Sequence, residues 1–373
     1  MANLAAQIAH WQDRDPPGTA AAACRRERSE QRAFDPDRRQ GLIDALATRA
    51  RVRLSAADRR CAVALADDWV RRAPDDPRAW LSQAANALDG HRIVLAATAL
   101  ARARALGAEP EPSLACQLAH ARGDYTEALA CARTLAKAHD DAAAWGRLAT
   151  VLGEVGEYRE ARAAFARARA GYRDPSPLIP AWLAQAEARM WARAGNRQLA
   201  EVVLRAGRER LPQHLGLALE HAVALEQLGE HEEAIRLASP LLERTRDPDV
   251  PAQLAAWHQA AGRSEKAAAL ARQARAGFAA HLDAEPAAYV AHAAEFWLSA
   301  GDRPREALAL AQRNARHAPT LAALALLAEA AAAAGEHGLQ CTATARVLEI
   351  GRHGNDRGGD SLGARMRALR QGC

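Results

Sequence analysis

The sequence predicts an all-α fold, a superhelical solenoid of about nine stacked helical hairpins. The first sign is a recurring phrase: Gly123-Asp124-Tyr125-Thr126-Glu127-Ala128, then Gly156-Glu157-Tyr158-Arg159-Glu160-Ala161, then Gly229-Glu230-His231-Glu232-Glu233-Ala234. Weaker copies run from Gly195 to Ala200, Gly262 to Ala267 and Gly301 to Ala307. Self-similarity at a period of about 34 residues marks stacked helical repeats. The second sign is composition. Hydrophobic residues make up 49% of the chain but aromatics only 4%, so the apolar content is mostly Ala and Leu, which favour helix. The third is that no alternating Val, Ile or Thr run suggests a strand.

Along the chain, residues 1–42 read as an N-terminal helical cap and linker. A short helix ends near Trp11, Asp15-Pro16-Pro17-Gly18 breaks it, and a charged helix follows from about Ala20 to Phe34. A solenoid needs such a cap over its first apolar face. The array itself spans residues 43–351. Its units align on a small residue at each helix crossing: Ala62, Ala96, Ala128, Ala161, Ala200, Ala234, Ala267, Ala307 and, exceptionally, Gln340. Two backbones approach closely there, leaving no room for a longer side chain. In the clearest unit Trp145, Leu148, Ala149 and Leu152 form the first stripe, Gly156 and Tyr158 the turn, and Ala161, Phe165 and Ala168 the second stripe, at helical spacing.

These residues resemble the tetratricopeptide repeat family, with its Trp–Leu–Gly–Tyr first helix and Ala–Phe–Ala second helix. The family's closing proline has counterparts in Pro74, Pro212 and Pro319. The resemblance covers roughly residues 43–351 and implies a right-handed superhelix whose first helices line a concave groove. It implies an architecture and not an activity.

A longer period overlies the first. Gly123, Gly229 and Gly335 are 106 residues apart, as are Trp191 and Trp297, Pro180 and Pro286, and Tyr172 and Phe278. The array is thus a repeat of triplets, with one long unit in each later triplet. There the second helix is expected to run on for about two extra turns. Residues 352–373 read as a flexible C-terminal tail, in which a last Arg-rich turn, Ala364 to Arg370, is either a loosely docked helix or part of the tail.

The net charge of +5 invites a nucleic-acid reading that its distribution opposes. Residues 1–60 carry a net +4 and residues 346–373 a net +3, so the repeat body is left at −2. A duplex-binding face needs a continuous basic stripe, and none is visible. The basic residues are nearly all Arg, with only Lys137 and Lys266 as Lys, a bias expected of a GC-rich bacterial genome. Six scattered cysteines without a C-x-x-C pair read as reduced, buried thiols. No stretch approaches the ~18 apolar residues of a membrane span, and residues 1–11 lack the pattern of a signal peptide. A cytoplasmic protein is the expectation, and oligomeric state is not legible.

No phosphate loop, dinucleotide fingerprint or nucleophile elbow occurs. His231-Glu232-Glu233 opens like a zinc-protease motif, but Ile235 stands where a second His is needed. The histidines lie in different hairpins, so no metal or other cofactor is expected. An enzyme with its active site in the groove therefore ranks behind binding roles. The family's groove positions map to Trp182, Gln185, Arg189 and Arg193, then Glu226 and Gln227, then Gln259 and Glu295. An aromatic beside two arginines suits a peptide or carboxylate anchor, although Trp182 also suits packing against the preceding helix. The matching positions Ala143, Gly146, Thr150 and Gly153 leave space for a bulky ligand or for tight curvature. A noncatalytic adaptor for a peptide or protein partner leads, with a ligand-responsive regulator as the alternative.

Overall fold

The computed structural model describes residues 24, 34–109, 112–351 and 361–373, so the helices expected near Trp11 and before Phe34 lie outside the described residues. Among the described residues nine hairpins follow one another. They pair α1 (Pro36–Arg53) with α2 (Ala56–Arg72), α3 (Pro77–Asp89) with α4 (Ile93–Ala105), and α5 (Pro112–Ala121) with α6 (Tyr125–His139). Next come α7 (Ala142–Glu154) with α8 (Tyr158–Gly171), then α9 (Leu178–Arg193) with α10 (Arg197–Arg210). In the sixth, α11 (Leu215–Gln227) pairs with α12 (His231–Ala238), extended by the short α13 (Leu241–Arg244). The array closes with α14 (Asp249–Ala260) and α15 (Ser264–Ala284), α16 (Pro286–Leu298) and α17 (Pro304–His317), and α18 (Leu321–Ala334) and α19 (His337–Ile350), followed by a single helix, α20 (Ser361–Arg370). This is an all-α solenoid of stacked helical hairpins, the architecture that the resemblance to tetratricopeptide repeats implies. The leading helix of the first of these hairpins, α1, starts ahead of the boundary expected at residue 43.

The repeated phrase works as a turn. Gly123, Gly156, Gly195, Gly229, Gly262 and Gly335 all take the left-handed conformation that ends a helix cheaply only at glycine. The following polar residue begins the next helix, and Asp124 and Asn196 cap it through their side chains. At Gly301 the strained position passes to Asp302 (φ 47°), so the extra residue of this unit is absorbed inside the turn. Every alanine of the crossing ladder is buried. Gln340 is buried as well, because its Nε2 donates to the Leu369 carbonyl at 2.8 Å. The polar exception at the last crossing therefore serves the terminal helix.

Three expectations change. The cysteines are not thiols: Cys24–Cys61, Cys116–Cys131 and Cys341–Cys373 are disulfides, and no described cysteine is free. Their separations, 15 to 37 residues, are set by the stacking of neighbouring helices and follow no spacing motif. The two long units also differ. The helix α15 runs on through Phe278 to Ala284, but α8 stops at Gly171, and Tyr172 is extended (ψ 124°). Pro175 and Pro177 follow closely there, and a proline disfavours helix at the residue before it. Finally, of the two readings of the last turn, residues 361–373 take the docked helix and not the flexible tail. The helix α20 buries Leu362 and Met366 against the last hairpin, fastened by the Cys341–Cys373 bridge.

The coil also touches itself after about six hairpins. Arg59 and Arg60 of α2 both bond Glu285 at the end of α15, at 3.0 and 3.2 Å. Thr245 donates to the Leu54 carbonyl, and His317 Nε2 lies 2.9 Å from the His91 carbonyl. The Leu321 amide donates to the Tyr125 hydroxyl at 2.9 Å. At Gly123 a side chain would collide with the Pro319 carbonyl, so the close approach requires glycine.

Candidate functional site

Because the coil closes, the concave faces of its first helices meet around a cavity of about 420 Å³. It is lined from α3, α5, α7 and α9 on one side of the sequence and from α16 and α18 on the other. Small residues (Ala287, Ala288, Ala291, Ala322, Ala323) open the space, and Leu88, Leu326 and Trp182 supply larger apolar contacts. The charged lining consists of Asp89, His91, His120, Arg147, Glu154, His292 and Glu295.

Two histidine–carboxylate pairs organise these charges. In the first, Glu154 at the end of α7 accepts from His120 Nε2 at 2.7 Å and from the Tyr125 hydroxyl at 3.2 Å, and Arg193 lies 3.4 Å away. Burial alone would raise the Glu154 carboxyl, but His120 and Arg193 together hold it well below the usual carboxylate range. Burial likewise opposes charge on His120, yet Glu154 outweighs it and the imidazole is raised above its ordinary value. Burial and the neighbouring Glu154 also push the Tyr125 phenol up, so Tyr125 stays a protonated donor.

In the second pair His292 Nδ1 stands 2.9 Å from Asp249, whose charge pushes the imidazole up to about 10. Asp247, two residues away, is pushed up to about 6 by burial and then by Asp249. Burial raises Glu295 one turn along α16, only partly offset by His292. By contrast His91 is lowered by burial and by His292, which favours its neutral form. In each pair the carboxylate favours the charged form of its histidine, most strongly at His292.

The expected groove residues are distributed unevenly. Trp182 and Glu295 line the cavity, and Arg193 reaches it by holding Glu154. Gln185 and Arg189 instead converge on Glu220 of α11. Glu226 faces His231 at 3.9 Å, while Gln227 and Gln259 are exposed and line none of the described cavities. The space expected over Gly146 and Gly153 is filled: a β-carbon at Gly146 would come within 2.6 Å of the Trp182 ring, and one at Gly153 within 2.7 Å of Met190. These glycines let α9 close onto α7, and Trp182 does pack there while still bordering the cavity. Arg147, His292 and Asp249 are not anticipated by the sequence, which marks His120 as able to line a face and Glu154 as the only charge beside Gly153 but does not pair them. They are joined by closure of the coil, and the only sequence signal was the appearance of His and Glu on successive first helices.

No family model matches the chain. No curated protein matches it either. Among solved structures it is similar to a human IFIT1 dimer with PPP-AAAA, at 16% identity over 83% of this chain and 73% of that one (TM-score 0.45). It is similar to a human IFIT1 dimer with m7Gppp-AAAA at 14% identity over 89% and 76% (TM-score 0.48). A third is the APC/C hetero-tetramer Cut9–Hcn1, at 12% identity over 96% and 63% (TM-score 0.39). No ligand or partner passes to this chain from likenesses of this degree.

Proposed function

We propose that this protein is a noncatalytic binding protein whose concave face, within the array 43–351, takes up a peptide or partner segment. The observation that carries the reading is the axial cavity, where six first helices bring apolar contact and a few fixed charges together. Concave sites with that mixture are where proteins commonly hold ligands. The paired histidines and carboxylates stabilise one another, which suits recognition more than proton transfer. A second reading, a ligand-responsive regulator, is favoured by the closure itself: an occupant touching α7 and α16 bridges two turns of the coil and biases their separation.

Three disulfides favour an oxidising compartment over the expected cytoplasm. The test of the binding reading is a cavity filled from within by Thr150→Trp with Ala291→Trp. Wild-type protein recovered from its source should retain a stoichiometric ligand or partner in native mass spectrometry, and the filled variant should lose it. Equal retention by both would remove the cavity from consideration.

A further inference from the structure

We propose that the outer face of the fifth hairpin carries a binding site for an aliphatic carboxylate, separate from the central cavity. The carboxylate sits at Arg210, and the chain lies along the apolar stripe of α10.

The second helices of the array turn one stripe of side chains to solvent, and its composition recurs. One residue before the crossing alanine stands Glu127, Glu160, Glu233 or Glu306. Two residues after it stands Ala130, Ala163, Arg236 or Ala309. In α10 the same two places hold Leu199 and Val202, which are 37% and 44% exposed. Among the described residues only Val94 is a further large hydrophobic side chain left so exposed. Four other hairpins fold with glutamate at the first place and alanine or arginine at the second, so the repeat does not require this leucine and valine. Single exposed apolar residues are ordinary, but these two continue into a recess.

That recess, of about 410 Å³, lies between α8, α9 and α10 and is lined by Val202, Val203 and Ala206, by Leu183 opposite, and by Tyr172. Its volume is in the usual range for small ligands. Its charges are ordered along its length. Glu187, buried on α9, is bonded by Arg169 of α8, so that end has no net charge. Arg210 lines the opposite end. Gly207, one turn before it, lies so close to α9 that a β-carbon would come within 2.8 Å of the Ala184 side chain. Because α9 and α10 run antiparallel, Arg210 stands beyond Ala184 toward Pro180, away from Glu187. Arg210 is exposed and makes no hydrogen bond or ion pair with any described residue. The recess is therefore an apolar wall that ends in one uncompensated positive charge. A ligand apolar along its length and anionic at one end answers it, since a guanidinium pairs well with a carboxylate. The seven residues from Val203 to Arg210 span about 10 Å of helix, room for an octyl chain.

The experiment uses the full-length disulfide-bonded protein and calorimetry, with octanoate, octanol and octylammonium as probes. Octanoate should bind at a single site, octanol about tenfold more weakly, and octylammonium more weakly still. Decanoate should bind more tightly than octanoate, by up to about fourfold for each added methylene. Arg210→Gln should reduce octanoate to the level of octanol. Leu199→Glu with Val202→Ala gives α10 the pattern of the other second helices, so it should fold, as circular dichroism checks, and should remove the gain from octanoate to decanoate. Thr150→Trp with Ala291→Trp, which fills the central cavity, should bind octanoate as the wild type does. No binding of octanoate overturns the assignment, as does equal binding of octanoate and octylammonium or undiminished binding by Arg210→Gln. Loss of octanoate from the filled-cavity protein would move it to the central cavity and equally overturn the outer site. If the wild type dimerises in sedimentation and the Leu199→Glu, Val202→Ala protein does not, a second copy covers the stripe and the assignment falls.

Discussion

The two long units of the array descend from the same pattern and have become different objects. Tyr172 and Phe278 occupy matching places 106 residues apart, as do Pro180 and Pro286. After Phe278 the helix continues, the ring is buried among Tyr289, Ala293 and Phe296, and the extension delivers Glu285 to Arg59 and Arg60. After Tyr172 the helix stops, the ring is half-exposed, and a recess of about 410 Å³ remains beside Leu183, Glu187 and Gly207. Charge has diverged as well. Glu295 corresponds to Arg189, and the pair His292–Asp249 corresponds to Ala186 and Ala143. One copy became a spacer while the other became both the clasp of the coil and one wall of its cavity. Small local differences, two prolines and a few side chains, were enough.

That comparison can be broken most forcefully at the aromatic. Phe278→Ala should cost about 3–5 kcal/mol, as for other fully buried rings, whereas Tyr172→Ala should cost about 1 kcal/mol. Equal shifts in denaturant midpoint would mean that the two units are equivalent after all. The clasp is next. Glu285→Ala removes the shared acceptor of two arginines in a partly buried setting and should cost about 2 kcal/mol. Small-angle scattering should show a larger radius of gyration, and an unchanged radius would mean the turns are held together elsewhere.

A smaller effect sharpens the cause. Pro175→Ala with Pro177→Ala should lengthen α8 and raise helical dichroism while changing stability by less than about 1 kcal/mol. The subtlest concerns the pair that only one copy has. The folded-state value of His292, about 10, exceeds its ordinary 6.5, so its contribution is complete below about pH 6.5 and is lost as pH rises through about 10. Asp249→Asn should flatten stability across that window and return the imidazole titration, followed by NMR, toward 6.5.

The hairpins were legible because each is a local object: glycine, cap, stripe and crossing alanine all fall within one period. Even the anomaly at Gln340 was visible, although its reason, the Leu369 carbonyl, lies in a helix whose docking the sequence hid. The site was only partly legible. Trp182, Arg193 and Glu295 follow from repeat register, because register states which face of a helix points inward. His120 beside Glu154 follows only once adjacent first helices are stacked. The proximity of α7 to α16 depends on curvature accumulated over several hairpins, which no local pattern encodes. The disulfides escaped for a related reason, since scattered cysteines acquire partners only through packing.

The contacts between turns also change how this molecule should bear load. An open array of hairpins resembles a spring: tension is carried from each unit to the next, and the chain peels from an end at low force. Here Arg59, Arg60 and Glu285 tie the second helix to the fifteenth, and Tyr125 ties the sixth to the eighteenth. Stretching the coil must shear those cross-links together before any single hairpin can peel. The result is a brittle elastic element, stiff up to a threshold and compliant beyond it.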